Sequence, residues 1–172
     1  MRMHNTRMGV FAAIAIVWLS GCSETSQQDL AVPRCESTFD LLEVPESLGS
    51  SDRFNAALED FSNREGSYRL GDITAAAGWI EDWDRVVEVR TNITDGKLNH
   101  KAETESCWRN LPESDGEGYR PQEYYLFIKN KEPVQVVPWP DVVGELKFGD
   151  HGALTRDSLL SSDGNGWIVA HP

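Results

Sequence analysis

Few side chains in this 172-residue chain stand at spacings that chemistry requires. Nucleophilic catalysis needs a Ser, Thr or Cys activated by a neighbouring base, and no Gly-x-Ser-x-Gly occurs. Of the histidines, His4 sits in the N-terminal basic stretch, His171 is penultimate and His100 falls on a predicted exposed helix. His151, in Phe148-Gly149-Asp150-His151-Gly152, lies between elements and is the candidate general base, although a lone loop histidine also reads as surface. Glu81, Asp82 and Asp84 flank Trp79 and Trp83. Carboxylates beside indole faces are what a sugar site uses, and paired carboxylates are what glycoside hydrolysis needs; tryptophans at a strand entry serve core packing equally well. Asp163-Gly164-Asn165-Gly166 begins like a calcium loop, but Trp167 takes the next ligand position and no Glu closes it, so a hairpin turn explains the same residues. Zinc motifs, phosphate-cradling Gly-rich loops and dinucleotide fingerprints are absent. The sequence thus assigns no catalytic residue, no metal ligand and no cofactor.

The N-terminus is more informative. Arg2 and Arg7 precede an unbroken apolar run, Val10 to Leu19, with no acidic residue among them. A basic region, a short apolar region and small residues after it make a secretory signal, and ten apolar residues are too few to span a bilayer, which takes about 20. The run ends in Leu19-Ser20-Gly21-Cys22, which resembles the lipobox of bacterial lipoproteins at every position. The alternatives are an ordinary signal peptide with an incidental cysteine, or an uncleaved anchor. The resemblance implies cleavage before Cys22, a diacylglycerol on its thiol, and a new amino group open to acylation by palmitate or a similar chain. It therefore implies a membrane partner reached through lipid, on the exported side of a bacterial cell envelope; in a diderm host, Ser23 after the cysteine resembles the outer-membrane sorting pattern. Two or three acyl chains hold a protein stably where one is marginal.

The expected organisation is a signal peptide over 1–21, a lipidated N-terminus and flexible tether over 22–32, and one domain over 33–172. Loss of Arg2 and Arg7 takes Lys+Arg from 16 to 14 and the formal charge from −12 to −14. A body this acidic has no electrostatic attraction to anionic lipid and no basic stripe for a nucleic-acid backbone, so nucleic acid is excluded as a partner. With Cys22 assigned to lipid, Cys35 and Cys107 remain, and an even remainder in an exported chain points to one disulfide. Free buried thiols and a redox pair are the rival readings, the latter without a Cys-x-x-Cys to support it.

The body reads as α+β, with one main amphipathic helix plus short helices packed on an antiparallel β-sheet. Phe54, Ala57, Leu58 and Phe61 form a helical stripe that Ser50 or Ser51 can cap and Gly66 can end. Pro33 to Ser50 packs onto the body through Phe39, Leu41, Leu42, Val44 and Leu48. Short helices are expected over 72–78 and from Thr94 or Asp95 to Glu103, and a strand over 83–91. Tyr124 to Ile128 is apolar on both faces and should be central, turning at Asn130-Lys131 into a Val134 to Trp139 strand, for which Pro133 indicates an edge position or a strand entry. Leu154 to Leu160 and Trp167 to Ala170 flank a turn-rich hairpin signal over 161–166. Trp83 to Val87, followed by the Tyr/Leu/Phe strand, resembles small uncharacterised exported bacterial proteins, a likeness that implies no activity and no residue role.

Two functions fit these features. The first is a non-catalytic, membrane-anchored lipoprotein that binds an envelope protein, a glycan or a small ligand, with Trp79 or Trp139 at the recognition face. The second is an envelope-glycan hydrolase using Asp82, Asp84 or Asp150 with His151, which requires two carboxyl groups roughly 5–10 Å apart in a cleft.

Overall fold

A computed structural model describes residues 35, 37–43, 46–79, 82–140 and 143–172. The expected signal peptide, the tether, Cys22, Val44 and Glu81 lie outside the described residues. Among the described residues, nine strands and three helices follow in the order β1 (Ser37–Asp40), α1 (Ser51–Ser62), β2 (Ser67–Arg69), α2 (Leu70–Ala76), β3 (Arg85–Val89), α3 (Asp95–Ala102), β4 (Ser106–Arg109), β5 (Tyr124–Lys129), β6 (Glu132–Pro138), β7 (Leu146–Lys147), β8 (Leu159–Ser162) and β9 (Ile168–Ala170). The class is α+β. Among the described residues no helix is long and apolar enough to cross a membrane.

The centre is the antiparallel sheet β3–β5–β6. Strand side chains alternate between faces, and here both faces are apolar. Val86, Tyr125, Phe127 and Val137 join one core with Phe54, Leu58 and Phe61 of α1, Leu70 and Ile73 of α2, and Leu146, Leu160 and Ile168 of β7 to β9. Val87, Val89, Leu126, Ile128 and Val136 join a second core with Leu98 and Ala102 of α3, Trp108 of β4, and Leu41. A sheet buried on both sides explains why β5 is an apolar run rather than an alternation.

Local chemistry sets the element ends. The Ser50 hydroxyl accepts from the Arg53 N–H at the start of α1, and Thr94 does the same for Lys97 in α3. α1 ends at Asn63 rather than at Gly66, which turns into β2 with φ 92°. Asn130 and Lys131 have φ of 52° and 65°, the paired positive values of a type I′ hairpin turn. Register slips between Phe127 and Ile128, which face Gln135 and Pro133, so Val134 bulges beside the proline on an edge strand.

Other expectations change. β1 pairs with β4, and β7 with β9, in parallel, so the pairing extends beyond one antiparallel sheet. Leu154 makes a single antiparallel bridge to Val86, and the β8–β9 hairpin begins only at Leu159, with Ser161 and Ser162 in the strand rather than the turn. Leu42, expected to pack, is 66% exposed. Cys35 and Cys107 stand at disulfide distance, their Cα atoms 5.4 Å apart, which ties the residue two before β1 to the middle of its partner β4.

Candidate functional site

The sequence-predicted polar groups do not converge. Asp82 pairs with Arg156, and the Asp84 carboxylate accepts from the Asn130 backbone N–H at the β5–β6 turn. His151 contacts the carbonyl of His171 through Nε2 at 2.9 Å, while Asp150 is exposed in the loop beside it. Asp82, Asp84 and His151 are thus each committed to a separate partner. Asp163 closes its own turn, its Oδ1 accepting from the N–H groups of Asn165 at 2.8 Å and Trp167 at 3.1 Å. These bonds, led by that of Asn165, hold its carboxyl below the usual carboxylate range. Among the described residues no group of three His, Cys, Asp or Glu side chains is placed to hold a metal ion.

The two tryptophans proposed for a recognition face part company. Trp79 is buried, stacked on Phe54 at 4.9 Å with its Nε1–H donated to the Ser50 carbonyl at 3.2 Å. Gly49 makes room for it: its φ is 144°, and a β-carbon there would collide with the indole. Trp83 is also core, edge-on to Phe127 at 5.0 Å. Both indoles therefore face inward, and ahead of β3 the buried Trp83 alternates with the exposed Asp82 and Asp84, as side chains along an extended segment do.

Trp139 is different. It follows the last residue of β6, is half-buried, and lines a cleft of about 520 Å³ with Thr91, the 119–123 segment and Pro140. Three chain segments meet there. The strand pairing of β5 with β6 continues outward as Trp139 donates its N–H to the Glu123 carbonyl at 2.9 Å, and the Gln122 side chain donates to the Trp139 carbonyl at 3.2 Å. Glu123 Oε1 accepts from both the backbone N–H and the hydroxyl of Thr91, at 2.7 and 2.8 Å, which fastens the end of β3 to the same wall.

Behind the cleft the sheet holds a charged layer. Buried Glu88 accepts two bonds from Arg90, 3.0 Å from Nε and 2.7 Å from Nη2, and these hold the Arg90 guanidinium above its ordinary value. The guanidinium carbon lies 5.3 Å over the Trp139 ring, and Tyr125 stacks on that ring at 5.4 Å. Tyr125 is fully buried, its hydroxyl accepting from the Leu146 N–H at 2.7 Å, and burial pushes its ionisation well above the usual tyrosine range. Tyr119, 63% exposed, is the aromatic that the cleft leaves open to solvent.

Of this constellation the sequence indicated Trp139 alone. The rest was hidden because Tyr119, Pro121 and Gln122 lie in a polar stretch with no periodicity, which the long-range bonds of Gln122 to Trp139 and of Glu123 to Thr91 and Trp139 bring into place. No family model, curated protein or solved structure matches the chain.

Proposed function

We propose that the protein is a bacterial cell-envelope lipoprotein, anchored through lipid on Cys22, whose body is a non-catalytic binding module with the Tyr119–Trp139 cleft as its recognition surface. The observation that carries the binding reading is the cleft itself. It is in the size range of ligand sites, and combines an exposed aromatic, two prolines and open polar side chains on a wall braced by backbone hydrogen bonds. The anchoring reading is supported by the Leu19-Ser20-Gly21-Cys22 lipobox at the end of a signal-like segment. The separate commitments of Asp82, Asp84 and His151 favour this reading over the glycan hydrolase.

Complementation of a deletion strain tests the reading. Tyr119→Ala should fail to restore the phenotype although its melting temperature matches the parent, because Tyr119 is solvent-exposed. His151→Ala should restore it. The opposite pattern, with a folded His151→Ala variant inactive and Tyr119→Ala competent, overturns the reading in favour of chemistry at the histidine.

A further inference from the structure

We infer that Asn165 is a site of spontaneous modification: the Gly166 main-chain nitrogen displaces its side-chain amide, and water opens the resulting ring to aspartate or isoaspartate in the β8–β9 turn. The inference is independent of the cleft and of the lipid anchor.

Of the asparagines in the chain, Asn165 is the one that glycine follows. The attack closes a five-membered ring through the next residue's nitrogen, so a β-carbon on that residue hinders it, and Gly166 has none. The fold sharpens the choice. Asn55 and Asn99 lie inside α1 and α3, where the next N–H is bound along the helix. After Asn63 and Asn92 the next N–H is bound as well, that of Arg64 to the Phe61 carbonyl at 3.0 Å and that of Ile93 to the Arg90 carbonyl at 3.1 Å. The turn at 163–167 reverses this. Asp163 Oδ1 accepts from the N–H groups of Asn165 and Trp167, while among the described residues the Gly166 N–H between them has no partner. Asn165 itself is exposed, and its Nδ2 lies 3.4 Å from both the carbonyl and Oδ2 of Asp163, so its side chain folds back over its own turn.

The step balances with water alone. The Gly166 nitrogen gives its proton to hydroxide and bonds Asn165 Cγ; the Cγ–Nδ2 bond breaks, and the nitrogen leaves as ammonia with a proton from water, which restores the hydroxide. Water then cleaves the succinimide. Opening at the side-chain carbonyl leaves aspartate, and opening at the main-chain carbonyl leaves isoaspartate, whose main chain is one methylene longer. That longer chain would run between the Asp163 carboxylate and the Gly166 carbonyl, which accepts from the buried Gly144 N–H at 2.7 Å. Isoaspartate should therefore loosen Trp167 and Gly144 together.

The test incubates the folded full chain in detergent at several mildly alkaline pH values and then digests it with trypsin. Cleavage after Arg156 leaves residues 157–172 as one peptide in which Asn165 is the sole asparagine. Mass spectrometry should show this peptide passing from amide to acid, faster in proportion to hydroxide, as two separable products, aspartate and isoaspartate. The peptides carrying Asn63, Asn92 and Asn99 should keep their amides. Asn165→Gln should stop the conversion, because its ring would be six-membered; the variant is made there because a β-carbon at Gly166 would collide with Val143. An Asn165 amide that lasts as long as the other three, or aspartate as the single product, overturns the proposal. Amide exchange then compares the isolated isoaspartate form with Asn165→Asp, which carries the same charge on an unaltered main chain. Gly144 and Trp167 should exchange faster in the isoaspartate form, and equal exchange in the two overturns the loosening of the turn.

Discussion

Gln135 has no exposed surface in β6, and its amide completes three contacts across the core. Its Oε1 accepts from the Leu48 N–H at 2.8 Å, and its Nε2 donates to the Gly49 carbonyl at 2.8 Å and reaches Ser51 Oγ at 3.3 Å. Gln135→Leu leaves the buried Leu48 N–H unpaired, which costs about 1–3 kcal/mol, and removes the partner of the half-buried Gly49 carbonyl. Urea denaturation should therefore show a lower midpoint at an unchanged slope. Asp163 makes a prediction about pH. Its folded-state carboxyl lies below the ordinary value of 3.8, with the Asn165 N–H as the first cause. A depressed carboxyl stabilises the folded state fully above the ordinary value, and that contribution disappears as the pH falls through the lower one. Amide exchange at Asn165 and Trp167 should accelerate below about pH 4 beyond its intrinsic rate, and Asp163→Asn should remove that inflection. Residue types announced the turn at 163–166 but not the bonds of Asp163 or Gln135, because a polar side chain in a strand or a turn shows its partners only once the chain has folded. Trp79 and Trp139 make the same point: one residue type, read as one kind of surface, divides into a core ring under Gly49 and a cleft wall.

At the scale of elements, periodicity was legible and brevity was not. The stripe of α1 appeared in sequence because Phe54, Ala57, Leu58 and Phe61 repeat at helical spacing, and all are buried. Phe54 touches Trp79, Tyr125 and Phe127 with centroids 4.9, 6.4 and 5.4 Å away, so Phe54→Ala should destabilise by about 3–5 kcal/mol, measured by calorimetric or denaturant unfolding. α3 was legible through its Thr94 cap, and the β5–β6 hairpin through Asn130. Strands β1, β2, β4 and β7, of two to four residues, carry no alternation to read. The parallel pair β1–β4 is moreover separated by the first half of the body, and only the even cysteine remainder hinted that its ends meet. The polar hub that seats β4 against α3 was equally silent: Asn99 Oδ1 accepts from the Thr104 hydroxyl at 2.7 Å and the Trp108 indole at 3.0 Å, while Nδ2 donates to the Ser106 carbonyl at 2.8 Å. Closing the 72-residue separation between Cys35 and Cys107 stabilises the fold by about 4 kcal/mol in the chain-entropy account. Thiol alkylation of the unfolded, unreduced protein should find neither side chain free, and Cys107→Ser should lower the denaturation midpoint. Alkylation of both without reductant contradicts the pairing.

For the whole molecule, the proposal joins an anchor at one end of the chain to a cleft on the body. Replacement of Cys22 by Ser should abolish labelling by a fatty-acid analogue and leave the precursor uncleaved; persistent labelling would place the lipid elsewhere. The formal charge of −14 expected after cleavage gives the body no affinity of its own for anionic lipid, so the cleft should be available to a partner rather than pressed against the membrane. The most direct measurement is photo-crosslinking in cells, with the reactive side chain placed at Gln122 in the cleft or, separately, at Glu132 at the far end of β6. A discrete adduct is expected from Gln122, lost when Tyr119→Ala is combined with it, and none from Glu132. The same adduct from both positions, or one from Gln122 that persists without Tyr119, would contradict the cleft as the recognition surface.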